Sequence, residues 1–310
     1  MKRLLITALI LASLADANAQ QDPHYTQYMY NMNVINPAYA GSKENLAFGL
    51  LYRKQWVDIQ DAPETFTFSG HSPVGRNVGL GLSLITDKIG PVEETNAYGD
   101  FSYTLNLGGE HRLALGLKAG MTFQNIGLLS DINDGSLQDN TDEAFSSNSS
   151  NTYFNAGAGF FYYTQNYYVA FSVPNMLKSK HLKVRDSGEE RVYGEETQHY
   201  FLTAGYVFEL SPSVKFKPSA MLKSAFGTPA SVDGSANFLF NEKFEIGATY
   251  RLDDSFGAMV NYAITPNLRI GYAYDHIISD LDVTTPSSHE VILLFDLNFP
   301  KKVSRSPRYF

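Results

Sequence analysis

The chain has 310 residues, 44% of them hydrophobic, with 20 Tyr, 21 Phe, no Cys and a formal charge of −8. That length supplies one large domain or two small ones, the negative balance argues against a nucleic-acid partner, and no apolar run long enough for a membrane helix follows Leu14. A membrane β-barrel stays open, because its strands alternate apolar and polar residues and average to near-neutral hydropathy.

Residues 1–19 read as a secretory signal. Lys2 and Arg3 give the positive start, "LLITALILASL" (Leu4 to Leu14) is apolar but too short to anchor, and "ANA" places small residues before Gln20. No Cys follows that site, so a lipid anchor is excluded, and an exported chain without Cys has no disulfide framework. The next segment, residues 20–44, contains "QDPHYTQYMYNMNVINPAYAGS" (Gln21 to Ser42). It shows neither strand alternation nor an apolar stripe at helical spacing. Tyr25, Tyr28, Tyr30 and Tyr39 crowd it, and Asn36-Pro37 is a turn starter.

From Leu46 onward the hydrophobicity has period two. "HRLALGLKAGMTF" puts Leu113, Leu115, Leu117, Ala119, Met121 and Phe123 opposite Arg112, Gly116, Lys118, Gly120 and Thr122. "VKFKPSAMLK", "FEIGATYRL" and "LRIGYAYD" repeat the pattern, each with one apolar and one wet face. Such segments number about fourteen, each about eight to twelve residues, a length that crosses a bilayer when tilted. Their centres fall near Leu50, Phe68, Leu82, Phe101, Leu117, Ala158, Ala170, Ala204, Ala220, Phe238, Ala248, Val260, Tyr272 and Leu294.

The connections alternate long and short. "QWVDIQDAPE", "TDKIGPVEE", the polar stretch 125–151, "PNMLKSKHLKVRDSGEERVYGEET", "SAFGTPAS" and "SDLDVTTPSSHE" read as long loops, separated by short turns such as "SPVGRN", "TQN" and "NEK"; "LDDS" breaks the rule. Outer-membrane barrels show this asymmetry, with long outer loops and short periplasmic turns, and an even strand number leaves both termini periplasmic. Aromatics such as Phe48, Tyr52, Phe244, Tyr250, Phe256 and Tyr262 sit near strand ends, as in interfacial girdles. The expectation is an all-β, antiparallel transmembrane β-barrel of about 14 strands over residues 45–300.

The inward face carries Gly49, Gly79, Gly81, Gly116, Gly120, Gly157, Gly159, Gly247, Gly257 and Gly271, which let another backbone approach. A lumen of this strand number is too wide for wall side chains alone, so water or a plugging segment occupies it. The same face bears Arg53, Arg112, Lys118, Lys215, Lys217, Lys223, Arg251 and Arg269, with Asp100, Glu245, Asp275 and Asp296 as candidate partners. The mixed signs fit an internal salt-bridge network; a selective pore or polar docking surface is the other reading.

No catalytic constellation emerges, and neither enzyme activity nor a cofactor is expected. None of the seven His residues has metal-ligand spacing, and His289 beside Ser288 and Asp296 lacks a nucleophile elbow. The acidic loop Ser130 to Glu143 resembles a Ca²⁺ loop, but Asp131, Asn133 and Asp134 miss the register by one residue, so a solvated loop stands beside a surface Ca²⁺ site.

Gln20 to Ser42 closely resembles the N-terminal signature of the PorP/SprF family of Bacteroidetes outer-membrane proteins. The matching pieces are the QQDP start (Gln20 to Pro23), the aromatic run Thr26 to Asn31 and "INPAYAG" (Ile35 to Gly41). The likeness continues through Tyr52 to Val74 and the closing "SPRYF". The resemblance implies a role in type IX secretion at the cell outer membrane and, in gliding bacteria, in export of surface adhesins. It implies as partners a secreted adhesin bearing a C-terminal sorting domain, or secretion-machinery components including periplasmic lipoproteins, with outer-membrane lipid around the barrel. A passive channel or hydrophobic-solute transporter is the alternative.

In that setting the N-terminal signature is expected either to plug the barrel or to form a partner-binding strip. Tyr25, Tyr28 and Tyr39 offer flat rings with hydroxyls, Gln27, Asn31 and Asn36 offer amides for the lumen wall, Pro37 fixes a turn, and Gly41 permits close packing. The tail 301–310 carries Lys301, Lys302, Arg305 and Arg308 and ends in Tyr309-Phe310. It reads as a periplasmic overhang, either solvated or touching an acidic partner; a terminal aromatic also marks outer-membrane proteins for assembly.

Overall fold

The computed structural model describes residues 24–43, 45–127, 149–177, 180–186, 189–195, 197–225, 229–279 and 287–297. The signal region, Gln20 to Pro23, the acidic loop 130–143 and the tail with Arg308, Tyr309 and Phe310 lie outside these residues.

Among the described residues seventeen strands follow one another. They begin with β1 (Leu46–Lys54), β2 (Glu64–Pro73), β3 (Val78–Ile89), β4 (Val92–Gly108), β5 (His111–Ile126), β6 (Ser149–Tyr163) and β7 (Tyr167–Val173). A hairpin of β8 (Lys180–Asp186) and β9 (Glu189–Glu195) forms a separate two-stranded sheet. Then come β10 (His199–Tyr206), β11 (Phe208–Ser211), β12 (Val214–Ala225), β13 (Ser231–Phe240) and β14 (Phe244–Arg251). The last are β15 (Ser255–Thr265), β16 (Leu268–Ile277) and β17 (Ser287–Leu297).

Neighbours in sequence pair antiparallel, β1 pairs β17, and β10 pairs β12, so fourteen strands close into a ring. β11 prolongs β10 beside β12 after a gap opposite Pro218, which has no N–H to give the ladder. Every one of the fourteen expected centres falls inside one ring strand. Closure removes the free edges that an open sheet would expose.

The packing is inverted relative to a soluble protein. In β5 Leu117 is 63% exposed while its neighbour Lys118 is 2% exposed. Leu82, Phe154, Tyr250 and Phe256 also point outward, and Asp100, Glu245 and Glu290 point inward and are buried. An apolar exterior around a polar interior suits a barrel solvated by lipid. Among the described residues no helix is long and apolar enough to cross a membrane.

Two expectations about connections change. "TDKIGPVEE" is not a loop: β3 and β4 run on to Ile89 and Val92 and join through Gly90-Pro91. β4, β5 and β6 have 17, 16 and 15 residues and build a tall wall on one side. The loop "SDLDVTTPSSHE" also ends earlier than expected, because β17 begins at Ser287 and takes Glu290 into the ring. The long connections still gather at one end and the short turns at the other, which orients the barrel with the long-loop end outward.

Replacing Leu117 by Arg places a charge on the apolar exterior. Unfolding titrations in lipid vesicles are expected to show a loss of about 2–4 kcal/mol if the site lies near the bilayer midplane.

Candidate functional site

The segment from His24 to Lys43 folds into the lumen as a strap. It forms two 3-10 turns, Tyr28–Tyr30 and Pro37–Tyr39, around one α-helical turn, Met32–Ile35. Such short pieces are not stable alone; the wall holds them. Asn36 Oδ1 accepts from the Ala38 N–H at 2.9 Å and caps the later 3-10 turn, with Pro37 at its first position. Gly41 ends the strap at φ +74°, where a Cβ would also meet Gly79 Cα at 2.7 Å.

The strap divides its contacts between the two halves of the barrel. Its leading limb, Tyr25–Tyr30, bonds to β12–β17 and β1. The Glu290 carboxylate accepts from the Thr26 N–H at 2.9 Å and the Gln27 N–H at 2.8 Å. Thr26 Oγ1 donates to Asp275 at 2.5 Å and accepts from Arg53 at 2.8 Å. Arg53 in turn pairs with Asp275 at 2.8 Å and Glu290 at 3.3 Å. Tyr28 donates to Ser219 at 3.1 Å. Tyr30 donates to Glu245 and accepts from Lys217 at 2.7 Å, with the ammonium 4.8 Å from its ring centre. The phenol thus sits between a carboxylate and its cation and bonds to both.

The trailing limb, from Asn31 to Gly41, bonds to β2–β7. Asn31 donates to Thr67 at 3.3 Å, and Asn33 to Asp100 and the Leu82 carbonyl at 3.4 Å. Asn36 donates to the Phe160 carbonyl at 3.0 Å. Ser172 donates to the Ile35 carbonyl at 2.7 Å, and Ser102 to the Ala40 carbonyl at 2.5 Å. The Gly41 N–H donates to His71 at 3.1 Å. Tyr39 sets its ring edge-on to His71 and Phe161, both at 5.2 Å.

Five of the ten inward glycines border the strap: Gly79, Gly81, Gly116, Gly159 and Gly271. At Gly116 a Cβ would run into the Ala38 backbone, so the approach requires glycine. The other five face wall groups such as Ser69, Pro174 and Asn237.

The lumen cations sort by place. Arg53, Lys118, Lys217 and Arg251 form buried pairs: Lys118–Asp100 at 3.0 Å, Lys217–Glu245 at 3.0 Å and Arg251–Asp233 at 2.6 Å. Arg269 lies 3.7 Å from Glu245. Lys223 sits 5.9 Å from the Phe201 ring centre. Lys215 pairs with exposed Glu209 and Glu242, and Arg112 caps the β4–β5 turn through Asn106 and two carbonyls. Asp296 pairs with Lys43 of the strap end, 3.8 Å away, rather than with a wall cation.

Gln27 corrects an expectation: only its backbone bonds to the wall, and both side-chain amide atoms are buried without a partner. Thr26, Tyr30 and Asn33 carry anchoring bonds that the motif did not single out. The Ser288–His289–Asp296 grouping is not assembled: His289 bonds outward to Tyr272 at 2.6 Å, Ser288 points inward, and Asp296 lies at the far end of the strand.

The strap also runs the whole lumen. Arg53, Asp275 and Glu290 stand at the long-loop end of their strands, and His24 lies by Lys223, Arg251 and His199 at that same end. Gly41 and Lys43 lie at the short-turn end beside Pro73 and Asp296. The described chain therefore begins at the outer mouth, opposite the end of β17, although the ring has an even number of strands. A cleft of about 10 Å³ remains beside Tyr25, Thr26 and Tyr28, room for about one water.

Gly116→Ala is expected to cost about 1–3 kcal/mol through collision with Ala38, whereas outward-facing Gly99→Ala changes stability by less than about 0.5 kcal/mol. Glu290→Gln is expected to lose about 1.5–3 kcal/mol by weakening two charge-assisted bonds. Urea midpoints of heat-modifiable gel migration check all three.

Several solved structures share this barrel architecture. A deltaS2S3 mutant of the TodX monoaromatic hydrocarbon channel has a TM-score of 0.50 at 12% identity, over 85% of this chain and 93% of its own. The P. putida toluene transporter TodX gives 0.48 at 11% identity over 88% and 95%. The outer-membrane protein Omp33 of Acinetobacter baumannii gives 0.45 at 11% identity over 82% and 100%. At such identity the likeness concerns the barrel fold alone. No curated protein sequence matches the chain. The family model described as type IX secretion system membrane protein PorP/SprF matches residues 17–295, nearly the whole chain, and the protein belongs to that family.

Proposed function

We propose that this protein is a non-catalytic outer-membrane component of type IX secretion that receives and anchors a secreted cell-surface adhesin through the adhesin's C-terminal sorting domain. In gliding cells the same role serves export of motility adhesins. Periplasmic lipoproteins of the secretion machinery are its partners at the short-turn end. The observation that carries this reading over a passive channel is the filled lumen. The strap crosses it from mouth to mouth and bonds to strands on every side. A solute pore has to leave a continuous water path, and the close packing of Ala38 on Gly116 and of Tyr39 on Phe161 argues against one beside the trailing limb.

Affinity purification of the tagged protein from its own outer membrane, with mass spectrometry of the recovered proteins, tests this. A large adhesin or machinery subunits in stoichiometric amount is the expected result. A barrel recovered alone under mild detergent, combined with steady single-channel conductance of the wild type, overturns it in favour of a channel.

A further inference from the structure

The two limbs of the strap are held in unlike ways. Within the trailing limb, Asn33–Gly41 is clamped by backbone proximity: glycines of β3, β5 and β6 touch it, and Ser172 and Ser102 bond its carbonyls. Withdrawing it would strip those carbonyls of partners and open voids against the glycines. The leading limb, Tyr25–Tyr30, hangs mainly on ionised side chains that also pair with one another, with its donors meeting the carboxylate that Arg53 leaves in surplus. Arg53 pairs with Asp275 and Glu290, and Lys217 with Glu245, through wall atoms alone.

The leading limb also leaves polar groups stranded. Both side-chain amide atoms of Gln27 and of its neighbour over Gly271, Asn261, are buried without a protein partner. Along the trailing limb a single amide atom of this kind, Asn33 Oδ1, is unpaired. Water entering beside Gln27 as the limb lifts would satisfy the four atoms of Gln27 and Asn261. The start of the limb, Thr26 and Gln27 at Glu290, lies at the long-loop mouth, while Tyr30 reaches Glu245 and Lys217 toward the short-turn end.

We propose that Tyr25–Tyr30 is a gate that swings out of the lumen toward the long-loop mouth while Asn33–Gly41 stays seated, with Asn31 and Met32 as the hinge. Opening exposes a wall in which Glu290 is ready to accept two successive backbone N–H groups, the contact that Thr26 and Gln27 make when the gate is closed. The gate rests on the geometry of the strap and not on the secretion reading, so the two stand or fall separately.

Because the chain has no Cys, single introduced thiols report the motion directly. Gln27→Cys and Ile35→Cys both replace buried side chains by smaller ones. With purified, heat-modifiable barrels, a charged methanethiosulfonate is expected to react with Gln27→Cys at least tenfold faster than with Ile35→Cys. Equal protection of both would mean a fixed plug, and equal reactivity would mean release of the whole strap; either overturns the gate. Hydrogen exchange on the wild type gives an independent reading: the Thr26 and Gln27 amides are expected to exchange at least tenfold faster than those of Tyr39 and Ala40. Matched protection across the strap counts against the proposal.

Discussion

A polar lumen sealed from bulk water needs a partner for every group that points into it. A ring of fourteen strands encloses more space than its own side chains fill. Its inward Lys, Arg, Asp and Glu side chains are costly there unless paired. The strap meets both demands. It fills volume, and it supplies backbone N–H groups to Glu290, hydroxyls to Asp275 and Glu245, and an amide to Asp100. The dependence runs both ways, because a four-residue helical turn between two 3-10 turns has no stability of its own.

The charges inside are arranged as small compensated sets. Lys118 faces Asp100, Arg251 faces Asp233 and Asp254, and Lys217 with Arg269 faces Glu245. At Arg53 the cation is outnumbered by Asp275 and Glu290, and the surplus negative charge is met by donors of the strap. Among the described residues these sets each combine both signs. By contrast Lys215, whose partners Glu209 and Glu242 are exposed at the rim, contributes little.

The ring was legible because lipid outside and polarity inside impose a two-residue period, so Leu117 and Lys118 declare their faces by composition alone. That signal fades where a strand leaves the bilayer. "TDKIGPVEE" looks like a loop because the tips of β3 and β4 extend past the apolar belt, where both faces tolerate polar residues. Glu290 was hidden for a related reason: Ser287, Ser288 and His289 before it read as loop, although they open β17. The strap was legible as a signature but its bonding was not. Thr26, Tyr30 and Asn33 matter because of Asp275, Glu245 and Asp100, which only ring curvature brings near. Gln27 offered an obvious amide, yet the wall uses its backbone. Strand parity fixes where β1 and β17 begin and end, but says nothing about a segment that re-enters the lumen.

The strap's wiring also orders assembly. Thr26 bonds Glu290 across 264 positions of sequence, and Tyr30 bonds Glu245 across 215. Those partners do not surround a common lumen until the β1–β17 seam has formed. Contacts of such separation come late, because loop closure must precede them. The trailing limb meets β2–β7 across shorter separations, from 36 positions for Asn31–Thr67 and 67 for Asn33–Asp100 to 137 for Ile35–Ser172. Asn33–Gly41 therefore seats against the early strands of the sheet before the ring closes. Tyr25–Tyr30 docks last, against the wall that closure supplies, and the element that docks last on the least backbone contact is the one the finished barrel releases most readily.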